Sequence, residues 1–331
     1  MKWFGENIDV PEVWHSMPKE VQQVVLEWRN AHSHIQAKTS GSTGTPKVIQ
    51  LDKTEVKASA ILTAATFGIE QGATILHNLP VEFIAGKVML IRALVNDWNV
   101  IYAEPTVNVP LPEVSIDFAA FTPLQLNALF QNQQTRLNRI STMIIGGGEV
   151  SVDLKKQIQA LSGRVFATYG MTETITHIAW SDLKEESLHT WFRPIEGVSI
   201  SLSPESTLMI QALHLGNKII QTNDLAEIDA FGRFRILGRI DFIINSGGLK
   251  VNPAVLEGEL QTILAQPFFV GAKTDVILGQ KVVLFVEGEM SKALKEKVLF
   301  LFGDRVDRPR EICEIHKFDY TTTGKLIRKE Y

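Results

Sequence analysis

Residues Thr39 to Lys47 read TSGSTGTPK, a run of hydroxyl side chains broken by two glycines and a proline and closed by a lysine. Glycine gives access to positive φ and lets a ligand approach the backbone. Successive N–H groups in such a turn form a concavity that binds anions, and Ser/Thr hydroxyls add donors around it. The closing lysine supplies a mobile point charge. The chemistry this composition suits is the cradling of a polyphosphate. It is not the Walker loop, because GxxxxGK[ST] would need glycine where Pro46 stands. An ordinary Ser/Gly surface loop has the same composition, so the remainder of the chain has to decide.

At 331 residues the chain exceeds a comfortable single core, and two domains are expected. Hydrophobic content of 45%, charged content of 21% and a mean hydropathy of +0.05 describe a globular protein rather than a disordered or membrane-embedded one. A net charge of −4 argues against a general nucleic-acid binder, which is normally basic. Cys313 is the only cysteine, so no intrachain disulfide forms and a reducing compartment fits. The first ten residues, MKWFGENIDV, lack the apolar run of a secretory signal. The most apolar windows, 83–95 and 298–302, are interrupted by Lys87 and Arg92 or are short, below the roughly 18 residues of a membrane span. A cytoplasmic location is the expectation.

Upstream of the hydroxyl-rich loop, Val21, Val24, Val25 and Trp28 recur at helical spacing over residues 20–31. Downstream, residues 48–51 read as a strand, and Asp52 can cap a helix reaching about Thr66. Residues 74–79 and 100–103 read as strands around a helix at 88–94, and a further helix is expected at 124–130. A strand at 142–145 runs into Gly146-Gly147-Gly148, Ser151 begins a helix, and a strand at 164–168 enters Tyr169-Gly170. Strand, glycine turn, helix, strand is the pattern of a parallel sheet with ligands at the carboxyl ends of its strands. Short strands at 198–202, 207–210, 218–222, 226–229 and 233–236 suggest a small antiparallel layer. From residue 239 a small α+β module follows, with helices at 253–264 and 291–301 and strands at 268–273 and 281–287. The fold expected is therefore α/β: a large N-terminal α/β domain (1–238) with a parallel sheet and a small β layer, then a small C-terminal α+β domain (239–331).

Several stretches carry chemistry. In YGMTET (169–174), Tyr169 can lie beside a base and Glu173 can face Mg²⁺, although the same residues make a turn capped by Thr172 or Thr174. Gly147, Gly148 and Glu149 let backbone approach a flat ligand, as many glycine turns do. Asp224 can accept ribose hydroxyls, as acidic residues do in dinucleotide sites, and Arg239 offers a phosphate contact or a surface ion pair. Asp229 and Gly232 fit a hairpin turn, and Gly247-Gly248 a β-turn. Lys325 follows Gly324 near the chain end, where a lysine is ordinarily only solvated.

Five stretches in this order, TSGSTGTPK, YGMTET, TNDLAEIDAFGRF, LGRIDFIINSGGLKVNP and TTTGKLIR, resemble the adenylate-forming superfamily of acyl-CoA synthetases, peptide-synthetase adenylation domains and luciferases. Together they cover the chain from Thr39 to its end. Within the superfamily, the short length and the segment LPVEFIAGKVMLIRAL (79–94) are similar to compact bacterial o-succinylbenzoate–CoA ligases of menaquinone biosynthesis. The resemblance implies ATP, Mg²⁺ and coenzyme A, a carboxylic acid substrate, and a C-terminal domain that moves as a lid. Thr39, Ser40, Gly41, Ser42, Thr43, Gly44 and Lys47 would hold the ATP phosphates. Gly147, Gly148 and Glu149 would line the adenine, with Tyr169 and Gly170 against it. Thr172 would touch the α-phosphate and Glu173 would hold Mg²⁺. Asp224 and Arg239 would bind ribose, Asp241 would be the hinge, and Lys325 would reach the carboxylate and α-phosphate during adenylation. Phe83, Lys87, Arg92 and His177 are the candidates for the acid, a dicarboxylate needing a cationic partner for its unreacted end. A homodimer is a further expectation, with neither nucleic acid nor a membrane span involved.

The sequence departs from the superfamily's pattern. Relatives carry a much longer segment before the loop, so part of the first subdomain is expected to be absent, which bears on substrate coverage and oligomeric state. Phe83 stands where many relatives have histidine, Asn223 where glycine is usual, and Asp319 where proline is usual. Asparagine tolerates the left-handed geometry that glycine serves. Two other readings stand beside the CoA ligase: an enzyme that loads a carrier protein, and a catalytically silent nucleotide-binding relative. Retention of Lys325, Glu173 and Asp224 speaks against the last.

Overall fold

The computed structural model describes residues 1–38, 48–187, 189–320 and 326–329. The chain opens with short strands Lys2–Trp3 (β1) and Glu6–Asn7 (β2) and helices Pro11–Ser16 (α1) and Lys19–Arg29 (α2). Strands His34–Lys38 (β3) and Val48–Asp52 (β4) pair antiparallel, and helix Lys53–Phe67 (α3) follows, capped by Asp52 as its sequence suggests. Then come Thr74–His77 (β5), Ile84–Val95 (α4), Asn99–Tyr102 (β6), Ile116–Phe121 (β7), Pro123–Asn132 (α5), Gln134–Leu137 (α6), Ile140–Ile145 (β8), Val152–Ile158 (α7) and Arg164–Gly170 (β9). His177–Asp182 (β10) and Arg193–Pro194 (β11) lead to Val198–Leu202 (β12), Thr207–Ala212 (β13), Ile219–Ile228 (β14) and Phe234–Arg239 (β15). The last part holds Ile244–Ser246 (β16), Leu249–Val251 (β17), Pro253–Leu260 (α8), Phe268–Asp275 (β18), Gly279–Glu287 (β19), Lys292–Phe302 (α9) and Glu311–Ile315 (β20).

The chain divides into two compact units. One comprises Met1–Ile200, Ile210–Ile220 and Ala230–Arg233; the other comprises Ser201–Met209, Gln221–Asp229 and Phe234–Tyr331. In the first, the main sheet runs β11-β10-β9-β8-β7-β5-β6-β1-β2. Its centre, from β9 through β8, β7, β5 and β6 to β1, is parallel, and β10 joins antiparallel. Parallel strands need both faces covered. Side chains of β7 alternate accordingly: Phe118 and Ala120 enter one core, Ala119 and Phe121 the other. Neighbouring strands keep the alternation, with Ile144 and Phe166 in the first core and Met143, Ile145, Val165 and Ala167 in the second.

Some of this departs from the sequence reading. No strand is anticipated at 116–121, because IDFAAF carries two alanines and no alternation of polarity; a strand buried on both faces needs none. Helix α4 begins at Ile84 rather than near residue 88, since Lys87 N–H already bonds the Phe83 carbonyl at 3.1 Å. Gly86 lowers helix propensity in that first turn. It is required there, because a Cβ would stand 2.2 Å from the Pro80 carbonyl oxygen. The two strands expected at 218–222 and 226–229 are one, β14, with an irregularity in register between Leu225 and Ala226.

The second unit has its own core of Ile244, Val251, Leu256, Leu260, Val282, Leu284 and Val298, under α8 and α9. Its sheet runs β17-β16-β19-β18, with β20 beside β19 in parallel. No helix among the described residues is long and apolar enough to cross a membrane.

Phe118 is fully buried, 6.0 Å from Phe67 and 5.9 Å from Trp98 between ring centroids. Phe118→Ala is expected to lower stability by about 3–5 kcal/mol, read as a lower urea midpoint for loss of the first unit's tryptophan signal at an unchanged slope.

Candidate active site

The carboxyl ends of β5, β7, β8 and β9 lie along one edge of the main sheet. β6 pairs on one side of β5 and β7 on the other, so the strand order reverses there, which is where open α/β sheets bind ligands. Gly146 N–H bonds the Phe121 carbonyl at 3.1 Å, and Thr168 Oγ1 donates to the Ile145 carbonyl at 3.2 Å. These bonds align the glycine turn after β8 with the end of β9. Gly147, Gly148 and Glu149 are exposed, and nothing lies within 4 Å of the Gly147 Cβ position, at φ +81°. The Tyr169 ring, half-buried, lies 5.8 Å from Phe192 at an interplanar angle of 54°. The edge thus presents bare backbone and an aromatic ring, groups that suit a flat heterocycle.

The chain leaves β9 through the short 3₁₀ turn Thr172–Thr174. Thr174, fully buried, takes the Met171 N–H on its hydroxyl oxygen at 2.9 Å; its proton can go to the Met171 carbonyl (3.0 Å) or the Thr176 carbonyl (2.7 Å). The N-cap position is Met171, without a side-chain cap bond, so neither Thr172 nor Thr174 is the helix N-cap that the sequence allows; the Thr174 hydroxyl closes the turn from its last position instead. Thr172 is 8% exposed and Glu173 faces solvent. Ile175 then adopts φ +67°, ψ −55°, while Thr176 N–H bonds the Thr174 carbonyl at 2.7 Å. This is a γ-turn with a β-branched side chain in the left-handed half of the map, a strain of about 1–3 kcal/mol. Gly170 allows it, because a Cβ there would sit 2.2 Å from the Thr176 carbonyl oxygen. Sequence reasoning misses Ile175 and Thr176, since nothing in TETITH marks a positive φ at isoleucine.

Of the candidates for the acid, Phe83 is the half-buried N-cap of α4, and its backbone bridges to Lys38. Lys87 Nζ pairs with Glu27 at 2.8 Å and bonds the Gln36 carbonyl at 2.7 Å. Arg92 and His177 are buried together between α3, α4 and the start of β10: Arg92 Nη2 donates to Thr176 Oγ1 at 2.7 Å and stands 3.4 Å from His177 Nδ1. Burial, then the Arg92 charge, hold the His177 pKa well below its ordinary value, so the ring is neutral. Asn78, also unmarked in the sequence, directly follows β5 as a buried amide; Nδ2 donates to the Ala120 carbonyl, and among the described residues Oδ1 has no partner.

In the second unit, Asp224 and Arg239 are directly opposed on β14 and β15. Arg239 forks onto Asp241 (Nε–Oδ1 3.0 Å, Nη2–Oδ2 2.8 Å) and reaches Asp224 Oδ1 at 3.4 Å. Hydrogen bonding from Arg239 holds the Asp241 carboxyl below its usual range. Asp241 lies in the 3₁₀ turn Ile240–Phe242 between β15 and β16. Thr39–Lys47 and Lys325 lie outside the described residues. The residues flanking them are paired: Lys38 with Val48, and Tyr320 with Leu326.

Among the described residues no cluster of three metal-ligating side chains occurs. The donor set at the turn, one exposed carboxylate beside buried hydroxyls, fits an ion that keeps waters and takes substrate oxygens, as Mg²⁺ does.

The model of the AMP-binding enzyme family matches residues 38–210. The chain belongs to that family. An acyl-CoA synthetase (AMP-forming)/AMP-acid ligase II-like protein from Dyadobacter fermentans is 31% identical, with 93% of this chain and 91% of that one covered at a TM-score of 0.64. The 2-succinylbenzoate–CoA ligase of Lactococcus lactis subsp. lactis is 23% identical over 98% of this chain and 76% of its own length. The fold is also that of the Bacillus subtilis O-succinylbenzoate coenzyme A synthetase in complex with ATP and magnesium ion, at 20% identity and a TM-score of 0.75, over 88% of this chain and 68% of that one.

The lowered Asp241 pKa gives a test with a defined sign. A carboxylate depressed on folding adds stability above its unfolded pKa, about 3.9, and loses it as pH falls through the folded value. Asp241→Asn is expected to cost less than about 1 kcal/mol at pH 7, the pair being partly exposed. The difference from the unsubstituted protein should shrink as pH falls below that unfolded value, in urea titrations run across pH.

Proposed function

We propose that this protein is an ATP-dependent acid–CoA ligase working through an acyl-adenylate, with o-succinylbenzoate as its acid. The observation that carries the reading is the meeting of the Gly147–Glu149 backbone and the Tyr169–Glu173 turn at one edge of the sheet, in a chain of the AMP-binding family. The acid is suggested by the succinylbenzoate–CoA ligases among the relatives.

A carboxylate is a poor acyl donor because its leaving group would be oxide. In the first half-reaction a carboxylate oxygen attacks the α-phosphorus, the bond to the bridging oxygen breaks, and pyrophosphate leaves. This is positioning and charge neutralisation rather than covalent catalysis by the protein. In this reading the Thr39–Lys47 loop grips the phosphates, and Gly147, Gly148, Glu149, Tyr169 and Gly170 seat the adenine. Thr172 contacts the α-phosphate, and Lys325 meets the carboxylate and that phosphate. Glu173 would hold Mg²⁺, which supplies charge neutralisation on the phosphates. Asp224 takes the ribose hydroxyls, beside Arg239. In the second half, the thiol sulfur of coenzyme A attacks the acyl carbon, AMP leaves and the thiol proton passes to solvent. Residues 239–331 act as a lid hinged at Asp241 that withdraws Lys325 between the two halves. Phe83 and Lys87 lie on the acid's side; Lys87 would exchange Glu27 for the substrate's second carboxylate.

Pyrophosphate release from Mg-ATP, measured with o-succinylbenzoate and a panel of aryl and aliphatic acids, tests the reading. Acid-dependent release is expected, with thioester appearing only when CoA is added. Lys325→Ala should lower adenylation by at least about 100-fold, the scale of losing one transition-state charge contact. No release with any acid, despite ATP binding, would sink the proposal.

A further inference from the structure

Arg92 lies inside α4, a helix whose neighbouring residues Val88, Met89, Leu90, Ile91 and Ala93 are all buried and apolar. It is 2% exposed, and among the described residues its charge has no carboxylate partner. Burial pushes its pKa down to about 9, which leaves it cationic at neutral pH. Its shortest bond goes to a hydroxyl, Thr176 Oγ1, and among the described residues its Nε has no partner. On the far side of His177, Nε2 stands 3.4 Å from Thr63 Oγ1 of α3, and Phe67 packs edge-on against the ring at 5.5 Å. Arg92 therefore ties α4 to the residue directly after the strained Ile175, and His177 is wedged in place behind it.

We infer that Arg92 is a positioning residue: through Thr176 it holds the Ile175 γ-turn closed and so fixes Thr172 and Glu173 at the carboxyl end of β9. The inference rests on the proposed function for what Thr172 and Glu173 do. The geometric part stands without it. Two restraints converge on the turn: the Thr174 hydroxyl and Arg92. The first belongs to the β9–β10 connection itself, while Arg92 arrives from another element and can carry away the turn's freedom to relax. Released from Arg92, Ile175 would return to negative φ, and the 3₁₀ turn before it would shift with it.

Thr176→Val deletes the hydroxyl while keeping volume, and Thr176→Ser restores it. Hydrogen exchange at the amides of 171–177 should speed by about tenfold or more in Thr176→Val and return in Thr176→Ser, with exchange elsewhere in the sheet unchanged. In pyrophosphate release, Thr176→Val should lower kcat by about tenfold and raise the Mg²⁺ concentration for half-activity, leaving KM for the acid within about twofold. Arg92→Lys, which offers one ammonium where the guanidinium spans Thr176 and His177, should fall in the same direction. Unchanged exchange at 171–177 in Thr176→Val would overturn the inference. So would faster exchange with wild-type kcat and Mg²⁺ dependence. If the unsubstituted protein releases no pyrophosphate with any acid, the functional reading fails, and the exchange comparison still decides whether Arg92 restrains the turn.

Discussion

Burial of β7, β8 and β9 on both faces constrains everything else in the first unit. Phe118 and Ala120 on one side, Ala119 and Phe121 on the other, leave no face of these strands for polar chemistry. Polar groups that are to meet a ligand therefore gather at the strands' carboxyl ends, while Thr142 and Arg164 within the ladder bond each other. Asn78, Thr122, Gly146 and Tyr169 stand at those ends, and parallel pairing puts all four along the same edge. The functional reading follows from topology: one sheet direction, one edge, several chemically different strand ends.

The antiparallel strand β10 modifies this arrangement. To reverse direction from Gly170 to His177 in so few residues, the chain runs a 3₁₀ turn into a γ-turn, and the two strands pair again at once. A longer loop would relieve Ile175 but would let Thr172 and Glu173 wander. The short connection fixes them because its backbone has few ways to close.

Much of this was legible in the residues. Gly146–Gly148 and Tyr169–Thr174 read as strand-end turns because glycine clusters and hydroxyls follow apolar runs, and Asp52 read as a cap from its place before a helix. Strands β7 and β10 were not legible: a two-sided buried strand has no polar period, and HIAWSD looks like the end of a loop. The capped-turn reading of YGMTET takes another form: Thr174 closes the turn on the Met171 N–H from its last position rather than as N-cap, and Glu173 remains exposed. For Arg92 the sequence offers an arginine in an apolar helix, which equally describes an exposed charge. Only the tertiary partner, Thr176, 84 residues away, shows otherwise.

Stability alone does not explain that arginine. Taking an ion out of water costs several kcal/mol even after relaxation, while a hydrogen bond to a charged group returns about 1.5–3. A methionine or leucine at position 92 would occupy the space beside Thr176 and His177 without that penalty. Ile175 adds strain of about 1–3 kcal/mol that a glycine or a longer loop would remove. Two unfavourable features meeting at one turn, one from α4 and one from the β9–β10 connection, are what a fold shows where geometry matters more than stability. The residues whose geometry is held there are Thr172 and Glu173.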